Sequence, residues 1–209
     1  MKTKIVNINE AQPLEVHNTL ENGNVIAYPT DTIYGIGADI YNNVAVEKLF
    51  ATKERDYAKP VSLLYFDKEK VFEDFNHLSD YETKFIEEFF PGPITLILQV
   101  KDENKFPFPF INNGFVGIRV INLPQLNSLM KKYPNPITTT SINPSGMKPA
   151  KNCNEILSYF PDHFSLIIDA GSSGNSIGST VIKVGTANYQ ILRESAVSAN
   201  EVEKRILNK

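Results

Sequence analysis

The chain has 209 residues, with 21 Lys and Arg against 24 Asp and Glu, for a formal net charge of −3. A composition of 42% hydrophobic, 22% charged and 11% aromatic residues is globular and excludes disordered, collagen-like and coiled-coil classes. The balanced charge argues against a whole-surface grip on nucleic acid, although a local basic patch stays open. At this length roughly 70% of the unfolded surface can be buried, enough for one domain to sustain its own core. One cysteine, Cys153, allows neither an internal disulfide nor a cysteine-rich zinc site, and fits the reducing cytoplasm. Met1–Asn7 lacks the apolar core of a signal peptide. The longest apolar run, Ile94–Leu98, is strand-sized and far too short for a bilayer.

Helical and extended periodicities alternate along the chain. Leu14, His17 and Leu20 lie at helical spacing over 11–21, with Gly23 as a stop. Residues 24–28 read as a strand, Asn43 as the cap of a helix with Val46, Leu49 and Phe50 on one face, and 61–65 as a strand. Ser79-Asp80-Tyr81-Glu82 is a capping box opening a helix halted at Pro91-Gly92-Pro93. Strands follow at 94–100, 116–120 and 137–141, with a short helix at 124–132 between the last two. A helix from Asn152 to about Tyr159, strands at 166–169, 180–184 and 189–192, and a final helix capped by Ser198 complete the order. With no repeat and no linker, the expectation is a single α/β domain (α+β by some schemes) over 1–209, with a twisted mixed sheet flanked by helices.

Several chemistries are absent. There is no Gly-x-x-x-x-Gly-Lys-Ser/Thr segment, Gly35-Ile36-Gly37 lacks the third glycine of a dinucleotide loop, and His17, His77 and His163 show no metal-ligand spacing. His17 reads as a structural residue on the edge of its helix. Four polar stretches remain. Pro29-Thr30-Asp31-Thr32-Ile33-Tyr34-Gly35 follows a buried strand, where α/β sheets bind ligands; a plain corner with Asp31 capping a turn stands level with that reading. Lys53 and Arg55, two apart, share a face if the chain there is extended, with Lys59 nearby. That would be an anion receptor, against a solvated helix end. Ser141, Asn143 and Ser145 cluster small donors beside Gly146, suited to anion or ribose contacts. Gly178-Ser179-Thr180 and Leu192-Arg193 complete the set.

In this order the stretches resemble the YrdC-type threonylcarbamoyl-AMP synthases (the TsaC group, short single-domain form) from about residue 8 to 205. The resemblance is carried by Pro29–Gly35, Lys53-x-Arg55, Phe89-Phe90-Pro91-Gly92-Pro93-Ile94-Thr95, the strand ending in Arg119, Ser141-x-Asn143-x-Ser145-Gly146, Ser179-Thr180-Val181 and Leu192-Arg193. Ile142, Pro144, Lys183, Ser195 and Asp56 depart from the family pattern. A YciO-like branch lacks the full basic set and the Ser-x-Asn turn, so retention of both favours the synthase.

The resemblance implies a nucleotidyltransferase, an L-threonylcarbamoyladenylate synthase, that converts L-threonine, bicarbonate and ATP into threonylcarbamoyl-AMP and pyrophosphate. Partner proteins would then use the product to modify a tRNA adenosine. By the same resemblance Lys53 and Arg55 are catalytic. Arg55, Lys59, Ser141, Asn143, Ser145 and Arg193 bind ATP, and Thr32, Arg119 and Ser179 bind threonine. The cofactor would be Mg2+ arriving with ATP, with no metal site of protein ligands. The rival expectation is a YrdC-like module that binds double-stranded RNA or tRNA weakly by phosphate contacts and does no chemistry. A carbamoyl-transfer domain like that of hydrogenase-maturation proteins is disfavoured, since none of those proteins' other domains is present.

Overall fold

Ten strands hydrogen-bond side by side into one mixed sheet in the computed structural model, which describes residues 2–54, 56–144, 146–174 and 177–207. In chain order they are β1 (Lys4–Asn7), β2 (Ile26–Tyr28), β3 (Gly35–Gly37), β4 (Ser62–Tyr65), β5 (Ile94–Gln99), β6 (Phe115–Val120), β7 (Ile137–Ser141), β8 (Leu166–Asp169), β9 (Thr180–Val184) and β10 (Tyr189–Arg193). Their order across the sheet is β1-β8-β2-β3-β7-β4-β6-β5-β9-β10. β8 pairs in parallel with both β1 and β2, as β4 does with β6 and β5 with β9, while the other neighbours, such as β3 with β7 and β5 with β6, are antiparallel. The mixed sheet agrees with the sequence reading.

The helices are α1 (Pro13–Glu21), α2 (Asn43–Lys53), α3 (Lys68–Asp74), α4 (Asp80–Phe89), α5 (Pro124–Met130), α6 (Cys153–Tyr159) and α7 (Ala199–Leu207). The Ser79–Glu82 capping box forms as expected. At α2 the cap is Asn42, not Asn43: its side chain accepts from Ala45 N at 3.2 Å. The sequence reading also missed β1, β3 and α3.

Glycine explains β3. A Cβ at Gly35 would stand 3.0 Å from the Tyr28 ring, and one at Gly37 would stand 2.9 Å from Ile137 Cδ1. The glycines make room for Tyr28, whose hydroxyl donates to Thr138 O at 2.9 Å, so the Gly-Ile-Gly segment serves packing. His17 is structural as expected, with Nε2 2.9 Å from Leu129 O and its ring against Tyr133.

Two apolar clusters divide the faces. The larger packs α2, α3, α4, α6 and α7 against one face through residues such as Leu49, Phe85, Ile156 and Val202. The smaller packs α1 and α5 against the other through Val16, Leu20, Leu126 and Met130, and within the sheet it extends no further than Leu64 of β4. Beyond β4 no described helix covers that face. On β6, β5 and β9 the residues pointing there (Phe115, Gly117, Ile97, Val181, Lys183) are half-buried, while their neighbours (Val116, Ile118, Leu96, Ile182) lie in the core. The candidate site sits where the covered face gives way to the open one.

Candidate active site

The loop between β2 and β3 is tied by Thr30, not Asp31. Thr30 Oγ1 accepts from the backbone N–H groups of Thr32 (3.0 Å) and Ile33 (3.2 Å) and donates to Ile33 O (2.7 Å). Asp31 does not cap this turn; its carboxylate reaches across to β6. Arg119 Nη2 donates to Asp31 Oδ1 at 2.6 Å and to Thr32 Oγ1 at 3.1 Å, while Asp31 Oδ2 accepts from Asn122 N at 3.0 Å. The pair is buried, with 7% of the Arg119 side chain and 9% of Asp31 exposed. Burial lowers the Arg119 pKa below its ordinary value, Asp31 opposes that shift and Arg193 adds to it; a guanidinium so placed still keeps its charge. One donor is left over: Arg119 Nε is buried without a hydrogen-bond partner among the described residues. A buried donor costs free energy until an acceptor arrives.

Lys53 closes α2, and Glu54 after it takes the left-handed conformation (φ 45°) that ends the helix. The chain at 53–54 is therefore not extended, and the shared face expected for Lys53 and Arg55 has no basis in an extended segment. Nor is Lys53 a solvated helix end. It is buried, and its Nζ donates to Ser141 O (2.7 Å), Asn143 O (2.8 Å) and Asn143 Oδ1 (3.3 Å). Ser141 Oγ donates to Asn143 Oδ1 at 2.6 Å, and Asn143 Nδ2 reaches the carbonyls of Pro144 and Met147. Lys53 and Asn143 thus build the turn that follows β7. Lys59 is exposed in the turn before Pro60, which lines the cavity described below. Arg55 and Ser145 lie outside the described residues.

Arg193 on β10 donates through Nε (3.1 Å) and Nη2 (2.8 Å) to Ser179 O, and Ser179 Oγ lies 2.7 Å from Thr95 Oγ1 on β5. The next residue, Thr180, faces inward, donates to Val197 O (2.6 Å) and accepts from Ser195 N (3.0 Å), so Ser195 helps anchor the segment. Arg119, Arg193, Ser141, Ser179, Thr95 and Ser62 converge on a cavity of about 330 Å³. Four residues expected in the site therefore meet there: Ser141, Arg119, Ser179 and Arg193. Thr32, Lys53 and Asn143 stand behind its wall as supports.

Tyr34 also borders the cavity. Its hydroxyl donates to Gly171 O (2.8 Å) and accepts from Ala170 N (2.9 Å), fastening the end of β8 to the start of β3. Beside it Cys153, the first residue of α6, is buried, and burial together with Asp169 pushes its thiol up to about 12. The lowered pKa that a helix N-terminus can induce is overridden here. Asp31, Thr95 and Ser62 were absent from the expected site. A hint was available: Arg119 and Thr95 are polar residues inside otherwise apolar strands.

A cavity at the end of β7 and along the open sheet face, with two guanidinium groups and a ring of hydroxyls, defines an α/β protein built to hold small anions bearing hydroxyl and phosphate or carboxylate groups. The Sua5/YciO/YrdC family model, described as "Telomere recombination", matches residues 18–195. The chain belongs to this family. A chain of Methanocaldococcus jannaschii is 31% identical over 98% of this chain and 99% of its own. The threonylcarbamoyl-AMP synthase of Photobacterium profundum is 33% identical over 77% of this chain and 87% of its own. The structure of P. abyssi Sua5 complexed with L-threonine superposes with a TM-score of 0.87 at 25% identity, over 98% of this chain and 61% of that one. The chain thus spans about three fifths of that Sua5. YciO of E. coli shares the fold, with a TM-score of 0.83 at 22% identity over 98% of this chain and 100% of its own.

Proposed function

We propose that this protein is an L-threonylcarbamoyladenylate synthase. The observation that carries the reading is the buried Arg119, with a spare Nε, bordering a cavity it shares with Arg193 and the hydroxyls of Ser141, Ser179 and Thr95. Synthase-named relatives at about 30% identity support it, as does the likeness to a Sua5 solved with threonine. In this reading Arg119 holds the threonine carboxylate with Ser179 beside it, and Thr32 steadies the Arg119 guanidinium from behind the wall. Arg193, Arg55 and Lys59 meet the phosphates, and Ser141 and Ser145, on the turn braced by Lys53 and Asn143, position the nucleotide.

The threonine amine and carbon dioxide form a carbamate and release one proton. A carbamate oxygen attacks the α-phosphorus, the bond to the β-phosphoryl oxygen breaks, and pyrophosphate leaves with the negative charge. Charge grows on phosphoryl oxygens, so fixed cations do the main work and no strong base is required. Among the described residues no three of His, Cys, Asp or Glu gather around a metal position. Asp31 is occupied by Arg119 and Asn122 N. Magnesium would arrive with the triphosphate, held by its oxygens, and would add charge neutralisation there.

No described helix is long and apolar enough to cross a membrane. A cytoplasmic location, and delivery of the product to tRNA-modifying partner proteins, belong to the same proposal. No observation favours a purely RNA-binding role. The test is to incubate the pure protein with ATP, threonine and bicarbonate and to analyse the products by mass spectrometry. Threonylcarbamoyl-AMP and pyrophosphate in equal amounts are expected; ATP left unconsumed in the presence of magnesium would overturn the reading.

A further inference from the structure

The basic cavity does not end at Val181. A second hollow of about 420 Å³ continues it along the open sheet face, sharing Pro60, Val61, Ser62 and Val181 with the first. Gly117 keeps the passage flat, since a Cβ there would stand 2.6 Å from Ser62 Oγ. The far wall is Phe115 and Lys183, with the Lys183 ammonium 3.6 Å from the centroid of the Phe115 ring.

Lys183 has an unusual setting. It is half-buried, and among the described residues its ammonium has no carboxylate and no hydrogen-bond acceptor, only the aromatic face. An ammonium at the edge of a hollow with no counter-charge favours an anion in the adjoining space. Its register gives that anion a place. Ser179, Val181 and Lys183 are alternate residues pointing to the open face of β9, so Lys183 lies roughly 7 Å beyond Val181. Arg193, bonded to Ser179, marks one end of this row and Lys183 the other.

We propose that Lys183 is a binding residue for the β- and γ-phosphates of ATP and for the pyrophosphate that leaves as one unit, the phosphate chain running along β9 from Arg193 to the Phe115–Lys183 wall. The inference rests on the synthase reading and adds to it a residue that separates a triphosphate from a monophosphate. Lys183→Met keeps an unbranched stem on the Phe115 ring and removes only the charge, and Lys183→Arg keeps both charge and aromatic contact.

Isothermal titration with inorganic pyrophosphate and magnesium, with AMP, and with adenosine gives the answer for folded protein of each kind. In Lys183→Met the pyrophosphate affinity should fall about tenfold or more, Lys183→Arg should restore most of it, and AMP and adenosine should bind as to the wild type. Unchanged pyrophosphate affinity in Lys183→Met would overturn the assignment while leaving the synthase reading intact. Loss confined to adenosine would overturn it too, placing the base in the second hollow. A wild-type protein that binds neither ATP nor pyrophosphate would remove both readings together.

Discussion

Arg119 has two duties that different substitutions separate. It neutralises buried Asp31 through Nη2, and in the proposed function its unpartnered Nε is kept for the threonine carboxylate. Arg119→Lys keeps the charge but loses the planar fork, so kcat/KM for threonine should fall about 10²–10³-fold in a folded enzyme. Arg119→Ala strands the Asp31 carboxylate and should also cost about 3–5 kcal/mol of stability. Steady-state kinetics and thermal melting of the two variants check this; an Arg119→Lys enzyme within twofold of wild type would remove Arg119 from threonine binding. Cys153 tests the opposite case, a group near the site with no chemistry. With its thiol held up to about 12 against an ordinary 9.0, it should resist iodoacetamide at pH 8, and Cys153→Ser should keep near-full activity. The sign of its linkage is fixed: the native thiol retains its proton where the unfolded one releases it. Cys153 therefore stabilises less as pH rises from about 9 towards 12, and Cys153→Ser should flatten the alkaline side of the stability profile.

At the scale of elements, α2 matters through its last residue. The Lys53 ammonium joins a helix end to the turn after β7 through its bonds to Ser141 O and Asn143 O. Lys53→Met should cost about 1–3 kcal/mol through unpaired carbonyls and raise the KM for ATP more than that for threonine. Ser79→Ala, which removes a remote helix cap, should cost about 1 kcal/mol with unchanged kinetics. If both variants lose stability alone, Lys53 is a structural brace without influence on nucleotide binding. These elements also show what the sequence could reveal. β5, β6 and β7 announce themselves through β-branched runs, and α4 through its capping box, because those signals are local. β1 is largely exposed, α3 is short and mostly charged, and β3 contains two glycines, so each lacks the usual pattern. The Lys53–Asn143 and Arg119–Asp31 contacts span 90 and 88 residues. They depend on strand order and register, which no local spacing encodes.

At the scale of the whole molecule, the cavity draws its lining from seven strands, β3 to β7 with β9 and β10, so the sheet sets most of its shape. A pocket that contacts both the hydroxyl and the methyl of threonine should still accept serine, since one methyl is worth only about 1–3 kcal/mol. Valine, lacking the hydroxyl, should fare worse still. Competition assays with the three amino acids check the order, and equal rates would refute a threonine-shaped pocket. The order of the four polar stretches was legible in the sequence, and with it the family resemblance. What the sequence did not disclose is that Lys53 and Asn143 are scaffolding behind the cavity while Thr95 and Ser62 face it.

The half-sheet left bare by α1 and α5 has an evolutionary consequence. Along β5, β6 and β9 the odd-numbered positions face the open side where the two hollows lie, and the even-numbered ones hold the core. Under the proposed function, selection can edit substrate preference at Ile97, Phe115, Val181 or Lys183 with little disturbance of folding, and can drift the core at Leu96, Ile118 or Ile182 without touching the ligand. Gly117 is the exception, because any side chain there would collide with Ser62 Oγ. Lineages that diverge in activity while keeping this fold should therefore accumulate their differences on the odd register of these three strands and keep that one glycine fixed.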